Sequence, residues 1–93
     1  MEIRIDPHTL ERAEERGATE QEIKETIETG ELIPAKKNRL GRAKVYGFNR
    51  TRQGKCFEQK RIEVFYVIEG GVIVTVTIYV FYGKWESERA NPL

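Results

Sequence analysis

The chain has 93 residues, 39% hydrophobic and 33% charged, with a formal net charge of +1. That length suits one small domain with one modest core and a heavily solvated surface. No apolar run is long and bare enough to cross a bilayer, and "MEIRIDP" lacks the plan of a secretory signal, so the expectation is a soluble cytoplasmic protein with no membrane role.

In chain order, "MEIRI" alternates Ile3 and Ile5 with charged residues, the pattern of a short edge strand. Asp6 then reads as a helix N-cap with Pro7 at the first helical position, and Ile5 and Leu10 fall where a hydrophobic staple would put them. The helix is expected to run to about Arg16 and to end on a left-handed Gly17. Thr19 and Glu22 form a capping box that opens a second helix, with Ile23 and Ile27 as its apolar stripe and Gly30 as its stop. Both apolar faces are too thin for either helix to persist alone, so each must lie on something.

That something is a sheet. Pro34 makes "ELIPA" an edge or a loop, while "AKVYGF" (43–48), "RIEVFYVIE" (61–69) and "VIVTVTIYVFY" (72–82) read as strands. Gly70-Gly71 is a two-residue hairpin turn. An unbroken ladder from that turn pairs Ile68 with Ile73, Tyr66 with Thr75, Val64 with Thr77 and Ile62 with Tyr79, and brings Lys60 to Phe81. It sets the aliphatic row Val74, Val76, Ile78 and Val80 against the helices, and puts Lys60, Tyr66, Thr75, Thr77 and Tyr79 on the other face. The expected fold is α+β: two N-terminal helices packed on one face of a twisted antiparallel sheet of three to four strands. One domain spans residues 1–86, and a short tail, 87–93, frays.

The small net charge hides a segregation. Residues 1–35 hold ten acidic and four basic residues, whereas residues 36–61 hold ten basic residues against Glu58 alone, so a stretch of −6 is followed by one of +9. Such a segment in a neutral chain points to a polyanion, most often nucleic acid, although lysine and arginine also keep an exposed loop soluble. The expected RNA-binding set is Lys36, Lys37, Arg39, Arg42, Lys44, Tyr46, Arg50, Arg52 and Lys55.

His8, the only histidine, is followed at intervals of four by Arg12 and Arg16, off the stripe of Leu10 and Ala13. The row reads either as a solvated face with charge pairing along the helix or as a phosphate site. In the second reading the helix dipole favours an uncharged His8 able to act as a base, and Arg12 grips a phosphate bidentately. On the sheet, Lys60 can neutralise an oxyanion, and Tyr66 and Tyr79 can stack on bases or donate to phosphate; tyrosine and threonine are also simply good strand residues. Cys56 is the only cysteine, which leaves no intrachain disulfide and no zinc cluster, and it is expected to pack. No dedicated metal site and no cofactor are expected. There is no GxxxxGK[ST], no GxGxxG after a strand and no GxSxG, and the only serine is Ser87.

"HTLERAEERGATEQEIKETIETGE", "GRAKVYGF" and "KRIEVFYVIEGGVIVTVTIYVFYGKWE" together resemble a bacterial family of small uncharacterised domains usually placed near the RelE- and BrnT-like toxins. The resemblance covers most of the chain. His8, Arg12 and Arg16 match the helical motif, Lys60, Glu63 and Tyr66 match a "K-R-x-E-V-x-Y" strand, and Tyr79 and Tyr82 match the last strand. It implies helices packed on an antiparallel sheet, RNA cleavage without metal, and a small antitoxin partner.

The function expected on these grounds is a toxin-type, metal-independent endoribonuclease in which the RNA 2′-hydroxyl attacks the adjacent phosphate. His8, Arg12, Lys60, Tyr66 and Tyr79 are its candidate catalytic residues, and RNA, an antitoxin and a second copy of the chain are its expected partners. The alternatives are a non-catalytic nucleic-acid-binding module and a protein-interaction domain that offers a sheet edge.

Overall fold

The computed structural model describes residues 1–85, and the tail 87–93 lies outside them. The elements are β1 (Glu2–Arg4), α1 (Pro7–Arg16), α2 (Glu20–Thr29), β2 (Glu31–Ile33), β3 (Leu40–Arg52), β4 (Lys55–Glu69) and β5 (Val72–Gly83). They form one five-stranded sheet in the order β1-β5-β4-β3-β2, with α1 against β5 and α2 against β3 and β4.

The helix boundaries follow local chemistry. Asp6 accepts the His8 backbone N–H at 2.8 Å, Pro7 opens α1, and Gly17 ends it at φ 92°. The Thr19 hydroxyl accepts from the Glu22 backbone N–H at 3.1 Å, and Glu22 Oε1 accepts from the Thr19 backbone N–H at 3.0 Å, completing the capping box. Ala13, Ala18, Ile23 and Ile27 from the helical half meet Ile62, Val64, Tyr66 and Ile78 from the sheet in one buried cluster.

The sheet differs from the expectation in three ways. It has five strands and is mixed, because β1 pairs with β5 in parallel while the other pairings are antiparallel. β3 and β4 extend well beyond 43–48 and 61–69 into a long hairpin turned at Gln53-Gly54, where both residues take positive φ. The third difference decides which residues face the helices. The ladder from Gly70-Gly71 holds from Glu69↔Val72 to Tyr66↔Thr75, then shifts to Phe65↔Thr77. Val76 is left unpartnered, a β-bulge, and every later pair moves by one: Val64↔Ile78, Ile62↔Val80 and Lys60↔Tyr82.

The expected pairs Val64–Thr77, Ile62–Tyr79 and Lys60–Phe81 therefore do not form, and the faces are reassigned. Lys60, Ile62, Val64 and Tyr66 are all buried beneath the helices, so Lys60 and Tyr66 point opposite to the direction expected. Thr75 also lies on the helix side, where its hydroxyl accepts the Asp6 backbone N–H at 2.9 Å. The uncovered face carries Arg61, Glu63 and Phe65 of β4 against Phe81, Tyr79 and Thr77 of β5.

Candidate functional site

The uncovered face is where the chain gathers chemical groups that packing does not use. Glu63 and Tyr79 are direct cross-strand partners there. Arg61, two residues before Glu63 and so on the same face, donates from Nε to Glu63 Oε2 at 3.0 Å. The Tyr79 ring meets Phe65 edge-on at 6.0 Å between centroids and lies nearly parallel to Phe81 at 6.3 Å. Tyr79 and Phe81 are 44% and 46% exposed, nearly half open to solvent.

The β2–β3 loop rises over one end of this face. Between them is a cleft of about 400 Å³, lined by Pro34, Ala35, Lys36 and Arg39 from the loop and by Phe65, Thr77 and Tyr79 from the sheet. Gly41 leaves room for the Phe65 ring that lines the cleft: a Cβ there would come within 2.7 Å of it. At the β5 margin, Arg16 Nη1 donates to the Ile78 carbonyl at 2.6 Å and its guanidinium lies 5.8 Å from the Tyr79 ring centroid. The site thus combines one carboxylate, a tyrosine hydroxyl and several guanidinium or ammonium groups around an aromatic floor.

The expected site residues divide. Lys36, Arg39 and Tyr79 come together at the cleft, and Lys37 is exposed in the same loop. His8 and Arg12 are exposed on α1, and their side chains make no hydrogen bond or ion pair within the described residues. Lys60 is only 5% exposed, and its Nζ donates to the Gly17 carbonyl at 2.7 Å and to Glu22 Oε1 at 2.9 Å. Tyr66, 4% exposed, accepts at its hydroxyl from Arg42 Nε at 3.4 Å. Lys60 and Tyr66 are thus wired into the helix–sheet interface.

The basic segment divides as well. Arg42 Nη1 donates to the Gly30 carbonyl at 2.8 Å, Lys44 Nζ to the Thr29 hydroxyl at 3.0 Å, and the Tyr46 hydroxyl to Glu25 Oε1 at 2.9 Å. These three anchor α2 to β3. Burial, then the neighbouring Glu25 carboxylate, pushes the Tyr46 hydroxyl up to about 12. Arg50, Arg52 and Lys55 ride along the β3–β4 arm over the rings of Phe48, Tyr82 and Phe57. Cys56 is exposed on that arm, against the expectation that it packs, because the arm runs past the helices that would cover it.

Glu63 and Arg61 are the site residues that sequence reasoning about catalysis passed over. The signal was present: in "KRIEVFY" Ile62 and Val64 alternate with Arg61 and Glu63, and the aliphatic pair marks the buried side. Among the described residues no three His, Cys, Asp or Glu side chains are grouped as metal ligands, and no helix is long and apolar enough to cross a membrane.

Comparison with known proteins gives one finding: a family model described as a domain of unknown function, DUF4258, matches residues 5–80. No curated protein and no solved structure matches the chain.

Proposed function

The chain belongs to the DUF4258 family, and from that starting point we propose that it is a toxin-type endoribonuclease working on the uncovered face of its sheet. The observation that carries this reading is the pairing of Glu63 with Tyr79, with Arg61 on the carboxylate and Lys36 and Arg39 at the adjoining cleft. N-terminal helices packed on a sheet are also what the resemblance to RelE- and BrnT-like toxins implies, and this supports the same assignment.

Glu63 takes the proton of the RNA 2′-hydroxyl, whose oxygen attacks the adjacent phosphorus. The bond from O2′ to phosphorus forms as the bond to O5′ breaks, and the Tyr79 hydroxyl protonates the departing O5′. The products are a 2′,3′-cyclic phosphate and a 5′-hydroxyl, and solvent returns the protons. Arg61 holds Glu63 in place and faces the charge that builds on the phosphate, while Lys36 and Arg39 bind flanking phosphates. The RNA is the substrate partner, and a small antitoxin would silence the enzyme by covering this face.

The test is cleavage of RNA with chelator present. Wild type should release 5′-hydroxyl ends, and Glu63→Gln should slow release by at least roughly 100-fold, the usual contribution of a positioned acid or base. Intact RNA after incubation with folded wild-type protein would remove the enzyme reading.

A further inference from the structure

Tyr79 and Phe81 present a problem that the cleavage chemistry does not solve. One tyrosine hydroxyl is enough to protonate a leaving group, yet two large rings are held nearly half in water on β5, with a third, Phe65, edge-on to the first. Rings exposed side by side make a contiguous apolar patch, and patches mark contact surfaces where single exposed residues do not. The rings point away from the helices, so they add nothing to the core on that side.

Their geometry suits one kind of occupant. Residues two apart on a strand face the same way about 6.6 Å apart, and Tyr79 and Phe81 keep their ring planes within 18° of one another. They form successive platforms in line with the cleft, where the Phe65 ring stands edge-on to Tyr79 as a side wall. The margin of this track is basic: Lys36 and Arg39 stand over the cleft, Arg16 reaches the Tyr79 ring and Arg61 lies across from Phe81. Of the carboxylates on this face, Glu63 is bound by Arg61, and Glu31 stands two strands away, across Ala43. Flat apolar platforms bordered by cations match a chain of planar bases on a phosphate backbone, and such stacking is open only to bases not already paired in a duplex.

We propose that the open sheet face is a base-stacking track for single-stranded RNA, with successive bases on Phe81 and Tyr79 and a third entering the cleft beside Phe65. This deepens the ribonuclease reading and rests on it for the placement of the scissile phosphate near Glu63. The binding claim itself stands on the rings and the cations. Phe81 is then a specificity residue for strand state, and it takes no part in proton transfer.

The experiment uses the full chain carrying Glu63→Gln, so that RNA stays intact, and titrates it with fluorescein-labelled oligouridylate, alone or annealed to oligoadenylate. The free strand should bind roughly 10-fold or more tighter than the duplex. Adding Phe81→Leu, which keeps an apolar side chain but removes the ring, should weaken the free strand roughly 5- to 100-fold and leave the duplex unchanged. Phe81→Trp should restore binding. Far-UV circular dichroism checks that each variant is folded.

Equal affinity for strand and duplex, or full binding by Phe81→Leu, would overturn the track. So would the absence of binding to either RNA by folded protein, which would hand the face to a protein partner. The two readings separate cleanly. Binding that depends on Phe81 in a protein whose wild type never cleaves RNA leaves the track and removes the enzyme. Cleavage by wild type that ignores Phe81 does the reverse.

Discussion

Lys60 and Glu22 stand 38 residues apart in the chain and 2.9 Å apart in space, and Glu22 meets Lys60 with the same oxygen that closes the α2 capping box. Since Lys60 Nζ also binds the Gly17 carbonyl at 2.7 Å, one ammonium ties the end of α1, the start of α2 and the middle of β4 together. Removing one partner of such a buried pair strands the other's charge. Lys60→Met should lower the unfolding free energy by roughly 3 kcal/mol, read from urea titration. A loss under about 0.5 kcal/mol, the size of an ordinary surface change, would show that the ammonium does not hold the helices. Loss of RNA cleavage in a Lys60 variant has to be judged against this loss of fold.

Gly17 sits at φ 92° with Tyr82 pressed over it: a Cβ would run into the Tyr82 hydroxyl, which donates to the Arg16 carbonyl at 2.6 Å. Gly17→Ala should cost roughly 2 kcal/mol or more, part from the left-handed backbone and part from the collision. In a Tyr82→Phe background the same change should cost less, because the colliding oxygen is gone and only the backbone part remains. An equal cost in both backgrounds would place the whole effect in the backbone.

Alkaline stability should report on Tyr46. Its folded value is raised, to about 12, above the 10.0 of a free tyrosine, so the unfolded chain loses this proton first as pH rises. The stability it contributes is fully present below pH 10 and is lost as pH climbs from there toward 12. Tyr46→Phe should flatten that part of the stability–pH curve. Glu25, which accepts from Gln21 and from Tyr46, is lowered by those bonds, so its contribution is lost instead as acid carries the pH down through its folded value.

The Thr9 hydroxyl is buried with no hydrogen-bond partner within the described residues. Thr9→Val removes the stranded oxygen at nearly constant volume and should raise stability by about 1 kcal/mol. A loss of that size would mean that the hydroxyl is bonded after all.

His8→Ala should change neither stability nor cleavage measurably. The cap at Asp6 uses the His8 backbone N–H, which alanine keeps, and the imidazole projects into solvent from α1. A cleavage rate that falls with His8→Ala while Glu63→Gln is unaffected would move the chemistry from the open sheet face to the helices.

The contrast between His8 and Lys60 shows where sequence reading succeeds. Helix ends depend on residues a few positions apart, so Asp6, Gly17, Thr19 and Glu22 were all legible. The Gly70-Gly71 turn was legible for the same reason, and with it the first four pairs of the ladder. The bulge at Val76 was not: nothing in "VIVTVTIYVFY" distinguishes a residue that pairs from one that steps out, and one unpaired residue exchanges the faces of everything beyond it. That exchange concealed the Lys60–Glu22 pair and the identity of Tyr79 as the partner of Glu63, although the alternation in "KRIEVFY" already set Glu63 apart from Ile62 and Val64. The parallel pairing of β1 was hidden for a different reason, since three residues carry no mark of the direction of the strand they will meet.

β1 has a consequence for the order of events in folding. Its partners are Val72, Ile73 and Val74, at the start of the last strand made. α1 and α2 leave the ribosome early, yet the surface that would steady them belongs to β4 and β5, and helices of ten residues do not survive alone. The two helices therefore stay uncompacted until the β4–β5 hairpin closes. Docking of residues 2–4 onto 72–74 has to wait for nearly the whole domain to be synthesised. Pairings this distant are slow to find, so the domain passes through a vulnerable interval in which all five strands are made and β1 is still unpaired.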